Sequence, residues 1–283
     1  MWTFLAVLSR RQGGFTHPVK LLFYASVGVF VGVLTCMTGM RRPPGTNVSK
    51  ASLLLRSLMT ACAFASRFAS LWHLSLVDSA VVTSTSLVLT RLPELAQRRT
   101  PRSCMLPVSL LLTATALGLL AFSDMSEGRP EGLRWAVVST ALHSTQQLLS
   151  PATAGMPLSV LLLHTSFALL LLSTLLAAYL MERPEKLFTE ADMGTMSLTS
   201  HMGFAYVYFV SKGREADDGG LANMYKNSFD VIIAFAFNKA FLDEPVAAIS
   251  YAAAALVVTG ATVSELQRVA GLSHYRKRFR FFI

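Results

Sequence analysis

Three charges stand inside an otherwise apolar stretch between Ala51 and Thr90: Arg56, Arg67 and Asp78. Hydrocarbon does not accept such groups unless each meets a partner or faces a water-filled cavity. Arg67 lies near the centre of the run 52–73, where a guanidinium could meet the anionic group of a solute. The structural alternative is an ion pair, with Asp78 of the following helix its nearest partner by topology. A central Arg costs at least ~2.5 kcal/mol, which argues against idle placement. Asp78 opens a span and is followed by Ser79. It suits an N-cap, its carboxylate accepting backbone N–H groups at the positive end of the helix dipole. A proton-coupling site is the functional reading of the same residue. Arg56 opens the preceding run and marks a helix end.

A second group is mostly polar. His143 and Gln147 are four apart within 133–150 and so share a face. His164, His201, Tyr206 and Tyr208 belong to two further runs. Imidazole, amide and phenol drawn from three helices could line a cavity and hydrogen-bond hydroxyls or a nucleobase. Taken singly, each also fits an interhelical hydrogen bond. Lys226 and Asp230, again four apart, can pair along their own helix. Lys239, near the far end of that helix, can snorkel to an interface. For the two lysines, contact with a solute phosphate is the functional alternative.

Catalytic chemistry finds no support. The chain has no His-Glu-x-x-His, no Gly-x-Ser-x-Gly and no P-loop, so neither an enzyme nor a cofactor or resident metal is expected. Without a nucleotide motif, uphill movement of a solute would run on a proton gradient or on exchange. Cys36, Cys62 and Cys104 show no paired spacing and read as small packing residues.

Membrane-length helices must position these groups. Of 283 residues, 53% are hydrophobic and 14% charged, with a mean hydropathy of +0.49. A soluble domain would carry about a quarter charged residues, so lipid is the expected solvent for most of this surface. A crossing takes about 20 apolar residues. Nine runs qualify: 20–40, 52–73, 76–93, 105–123, 133–150, 157–181, 193–212, 225–242 and 246–265. The joints between them leave no room for a soluble domain. Residues 1–10 are too short to span and end at Arg10-Arg11, without the order of features a signal peptide needs.

The net charge of +9 is uneven along the chain. Alternate joints hold Arg41, Arg42 and Lys50, then Arg91, Arg98, Arg99 and Arg102, then Lys212 and Arg214, with a basic stretch at 268–283. The other joints mix Arg129, Arg134, Arg183 and Lys186 with many acids. Positive-inside logic places the first set and the C-terminus in the cytosol. The charges flank spans instead of building a platform, so nucleic acid is not an expected partner. Asn47-Val48-Ser49 matches a glycosylation acceptor but falls in a joint assigned to the cytosol.

Two features concern packing. Pro18-Val-Lys-Leu-Leu-Phe-Tyr-Ala-Ser and Pro157-Leu-Ser-Val-Leu-Leu-Leu-His-Thr open apolar runs 139 residues apart. Inverted repeats of this kind place a solute site near the midplane at their interface. Gly28 with Gly32, and Ala248 with Ala252, have the small-xxx-small spacing that lets helix backbones approach closely.

In order and spacing, these segments resemble the drug/metabolite transporter superfamily, its EamA-like and solute carrier family 35 members. The resemblance covers about 18–267 and is most specific in Leu55-Arg56-Ser57, Leu76-Val77-Asp78-Ser79-Ala80-Val81-Val82-Thr83 and Ser86-Leu87-Val88-Leu89-Thr90. Asp230-Val-Ile-Ile-Ala-Phe-Ala-Phe, Phe241-Leu242-Asp243-Glu244-Pro245 and the small-residue run 252–260 are similar to the family's ninth and tenth helices. Leu87 and Ala25 depart from it, standing where the family often has Pro and Arg.

The resemblance implies an all-α polytopic membrane protein: nine visible helices of a ten-helix fold of two inverted repeats, the first helix missing or reduced. The repeats would cover 1–130 and 131–267. With nine spans, Arg10, Arg11 and Lys20 face the far side, against the charge rule. The implied function is secondary transport of a small organic solute by alternating access in a eukaryotic internal or plasma membrane. The alternative is a membrane scaffold subunit that keeps the fold without transport.

Overall fold

The computed structural model describes residues 18–38, 50–90, 105–126, 130–149, 158–180, 193–216 and 220–279. All secondary structure among them is helical. The elements are α1 (Pro18–Thr38), α2 (Lys50–His73), α3 (Leu76–Ser84), the one-turn α4 (Ser86–Leu89), α5 (Met105–Ser126), α6 (Pro130–Leu148), α7 (Leu158–Leu180), α8 (Met193–Ala216), α9 (Gly220–Phe237) and α10 (Ala248–Phe279). Asn238–Leu242 prolongs α9 as one π-helical turn.

Each expected run falls on helix, with three differences. The run 76–93 is broken at Thr85, where hydroxyls compete for backbone carbonyls: Thr83 bonds Ser79 O, Ser84 bonds Ala80 O, and Thr85 bonds Val82 O. α9 starts earlier than expected, at Gly220. α10 continues to Phe279, so residues 268–279 of the basic stretch continue the last helix. Arg10, Arg11, the Asn47 acceptor, Arg91 to Arg102 and Cys104 lie outside the described residues.

Three described helices carry a stretch long and apolar enough to cross a membrane: Val19–Met37, Leu106–Ser123 and Ser159–Leu180. Ala248–Ser264 is a shorter apolar stretch. This composition fits a membrane protein. α2 and α9 differ because they hold Arg56, Arg67 and Asp230 within the helix.

α2 packs most extensively on α6, α5 on α10, and α1 on both α8 and α7. α2 also lies along α7, and α3 along α9. Close approach of α1 to α8 depends on glycine. A Cβ on Gly28 would overlap the Ser200 backbone, one on Gly32 the Phe204 ring, and one on Gly203 would sit 2.9 Å from Ala25 O. Ser200 Oγ donates across this seam to Tyr24 O at 2.8 Å. The small-residue face of α10 lies one position from the expected one. Ala248 and Ala252 are exposed, whereas Ala253, Val257 and Ala261 are buried and Gly260 backs onto Ser109 and Thr113 of α5.

Candidate functional site

One face of α2 carries Arg56, Thr60, Arg67 and Ser70, whose intervals follow the helical repeat. Arg56 is buried. Thr60 Oγ1 donates to Arg56 O and Ser70 Oγ to Arg67 O, each at 2.8 Å. Ser70 Oγ also shares a hydrogen bond of 3.0 Å with Ser79 Oγ of α3.

Arg67 reaches across to α9, where its Nη2 lies 3.8 Å from Asp230 Oδ2. The two side chains are 12% and 15% exposed. α2 and α9 make no extended backbone contact among the described residues, and the long arginine side chain reaches from one helix to the other. Around them a buried cluster draws Leu21 and Leu22 from α1, Phe68 and Leu71 from α2, Leu169 from α7 and Ala234 from α9. Phe64, one turn before Arg67, meets the Tyr206 ring of α8 edge-on, with centroids 6.2 Å apart. The pair thus joins the N-terminal and C-terminal halves of the chain in an apolar and aromatic setting.

This overturns the expected pairing of Arg67 with Asp78. Asp78 is occupied locally: Ser75 Oγ donates to its Oδ2 at 2.5 Å, and the Asp78 backbone N–H donates to Ser75 Oγ at 3.0 Å. Ser75 is therefore the N-cap of α3, and Asp78, at the third helical position, bonds back to the cap hydroxyl. The expected Asp78 cap is corrected by three residues. The signal was present as Ser75-x-x-Asp78. Asp230 meets Arg67, a partner the spacing did not indicate, while its expected pairing with Lys226 falls on a side chain outside the described residues. Arg56 is buried inside α2, not a marker of its end.

The polar set is only partly assembled. Gln147 Nε2 and His143 Nε2 lie 3.0 Å apart on α6, as their spacing requires. His164 and His201 are exposed, each ring bonding back to its own helix at Val160 O and Ser197 O. Among the polar candidates, Tyr206 packs against the apolar cluster that includes Phe68 of α2. Lys239 is 87% exposed and bonds Asp243 Oδ1 at 3.2 Å, outside the bundle interior. Asp243 itself caps the π turn in the left-handed region at φ 48°, with its N–H donating to Asn238 O. Buried Asn238 steadies that turn through Nδ2 to Glu244 O at 2.9 Å.

Elsewhere α6 is fastened by hydroxyls: Ser139 to Ala63 O, Thr140 to Val82 O and Ser144 to Ser86 O. Among the described residues no group of three His, Cys, Asp or Glu could hold a metal.

No family model and no curated protein matches this chain. Its fold does match: 14 chains of solved structures resemble it. One, described only as "Crystal structure of protein", superposes with a TM-score of 0.60 over 94% of this chain and 93% of that one. The two share 16% sequence identity, so the likeness concerns the fold alone.

Proposed function

We propose that this chain is a secondary transporter of a small organic solute, working by alternating access in a multi-pass membrane fold of the drug/metabolite transporter type. The observation that carries the reading is the Arg67–Asp230 pair, largely buried and linking α2 to α9 across an apolar interior. Charges in such a place mark solute or ion paths far more often than structural accidents.

Helix packing supports two repeats. Exchanging α1 with α7 and α2 with α8 carries the α1–α8 contact onto the α7–α2 contact, and both are extensive. Alternating access then moves one repeat against the other around a central site. In this reading the repeats cover 1–130 and 131–267, all nine runs cross the bilayer, and the C-terminus lies in the cytosol of a eukaryotic internal or plasma membrane. Proton or exchange coupling drives uphill movement. The bilayer and the solute are the partners.

The test is reconstitution of the full chain in lipid vesicles with a broad solute screen. Uptake of at least one solute is expected, lowered at least tenfold by Arg67→Ala. A wild-type protein that is folded and inserted yet moves nothing would overturn the proposal in favour of a scaffold subunit.

A further inference from the structure

We infer that the end of the bundle where α2 begins and α6 stops holds a hydrated polar vestibule, a site for water and for uncharged hydrogen-bonding groups, lined by Ser57, Ser86, Gln146 and Ser264. As an entrance to a solute path it rests on the transporter reading, and its hydration is tested apart from uptake.

Ser57 Oγ, Ser86 Oγ, Gln146 Oε1 and Ser264 Oγ meet no hydrogen-bond partner among the described residues. Their residues are only 0%, 1%, 4% and 5% exposed. Buried polar atoms are normally hydrogen-bonded, and ordered water is the usual partner where the protein supplies none. A single such atom is a local defect, whereas four from four helices at one end form a site. Thr199 Oγ1, a further buried hydroxyl of this kind, stands apart beside Ser200 of the α1–α8 seam.

Helix register brings the four to one end. Gly132 lies against His73 and Leu74, and Ser139 Oγ donates to Ala63 O, so α6 runs antiparallel to α2. Two turns beyond that bond, Gln146 stands opposite Arg56 and Ser57. Ser144, two residues before Gln146, donates to Ser86 O at 3.3 Å and sets α4 at the same level. Residues 127–129 alone separate α5 from α6, so α5 starts where α6 stops. Ala253, Ala254 and Val257 of α10 share a cluster with Ala116 and Leu120, and Gly260 backs onto Ser109, so α10 descends along α5 and carries Ser264 to this end. α3 breaks here too, at Thr85 beside Ser86, and irregular backbone at membrane depth belongs where protein or water covers it. Buried Arg56, engaged by contacts of its own, adds a charge that suits a wet end. Ser57 precedes Arg67 by ten residues, about 15 Å along α2, so the vestibule leads toward the ion pair. Positive-inside logic places the cytosol at this same end.

The experiment places single cysteines on the full chain carrying Cys36→Ala, Cys62→Ala and Cys104→Ala. Ser57→Cys, Ser86→Cys and Ser264→Cys are treated in detergent with a charged, water-soluble methanethiosulfonate. Val81→Cys and Val257→Cys, comparably buried in the apolar cluster, are the controls. Modification at least tenfold faster than at both valine positions is expected at two or more of the serine positions; fewer than two overturns the inference. Where these variants fail to fold, backbone amide exchange of the wild type decides. Amides 56–60 of α2 should exchange at least tenfold faster than amides 67–71 of the same helix, and equal rates overturn the hydration. In sealed vesicles the reagent should enter from the side on which α10 ends, and entry from the other side alone overturns the vestibule. Modification without uptake of any solute would keep the vestibule and sink the transporter. Uptake with the serine positions unreactive would do the reverse.

Discussion

Among the seams that connect the N-terminal and C-terminal halves of this chain, two are built on opposite principles. Between α1 and α8 the backbones touch, through Gly28, Gly32 and Gly203, with Ser200 bonded to Tyr24 O. Between α2 and α9 there is no extended backbone contact among the described residues, and the Arg67–Asp230 pair links them beside an apolar cluster that both helices enter. A glycine seam gains from close contact over its whole length and loses it steeply with separation. An ion pair can exchange one partner for another of the same charge. The first seam suits a fixed axis and the second a contact that opens.

Substitutions can break or sharpen this contrast. Arg67→Ala leaves Asp230 largely buried without that partner and should cost about 3 kcal/mol or more, read as lost thermal stability in detergent. Gly28→Ala should destabilise by about 1–3 kcal/mol, because its Cβ meets the Ser200 backbone, which cannot yield as a flexible side chain would. Gly118 of α5 is the control: a Cβ there meets nothing within 4 Å. Gly118→Ala should therefore stabilise by up to about 1 kcal/mol through helix propensity. If both glycine variants shift stability alike, the glycine seam is not the close contact described.

Ser75→Ala removes the α3 cap and should cost about 1 kcal/mol without moving solute affinity. Lys239→Ala breaks an exposed pair and should change stability by about 0.5 kcal/mol or less. Uptake that depends on Lys239 as strongly as on Arg67 would place the site at the end of the bundle and not at its centre.

Apolar periodicity made the helices legible, because burial or lipid contact demands it over a whole turn and not at one residue. The seam at Gly28 and Gly32 was legible for the same reason: only small residues permit the approach. The face of α10 was read one position off because a run of alanines, 252–255, carries no periodic marker of its own. Arg67 stood out as a charge in an apolar run, but its partner did not. Sequence neighbours favoured Asp78, whereas helix packing brought Asp230 from 163 residues away. The exposed histidines show the same limit. Their type allowed a cavity lining, but which way a helix faces is set by its neighbours.

The central claim is that Arg67 and Asp230 act as a coupled pair at a solute path. A double-mutant cycle tests it most directly, with Arg67→Ala, Asp230→Ala and the double variant measured for thermal stability and vesicle uptake of the same solute. The account predicts that the double variant is more stable than the sum of the single losses by at least about 1 kcal/mol, while uptake falls at least tenfold wherever Arg67 is absent. Additive losses together with uptake undiminished in Arg67→Ala would contradict it.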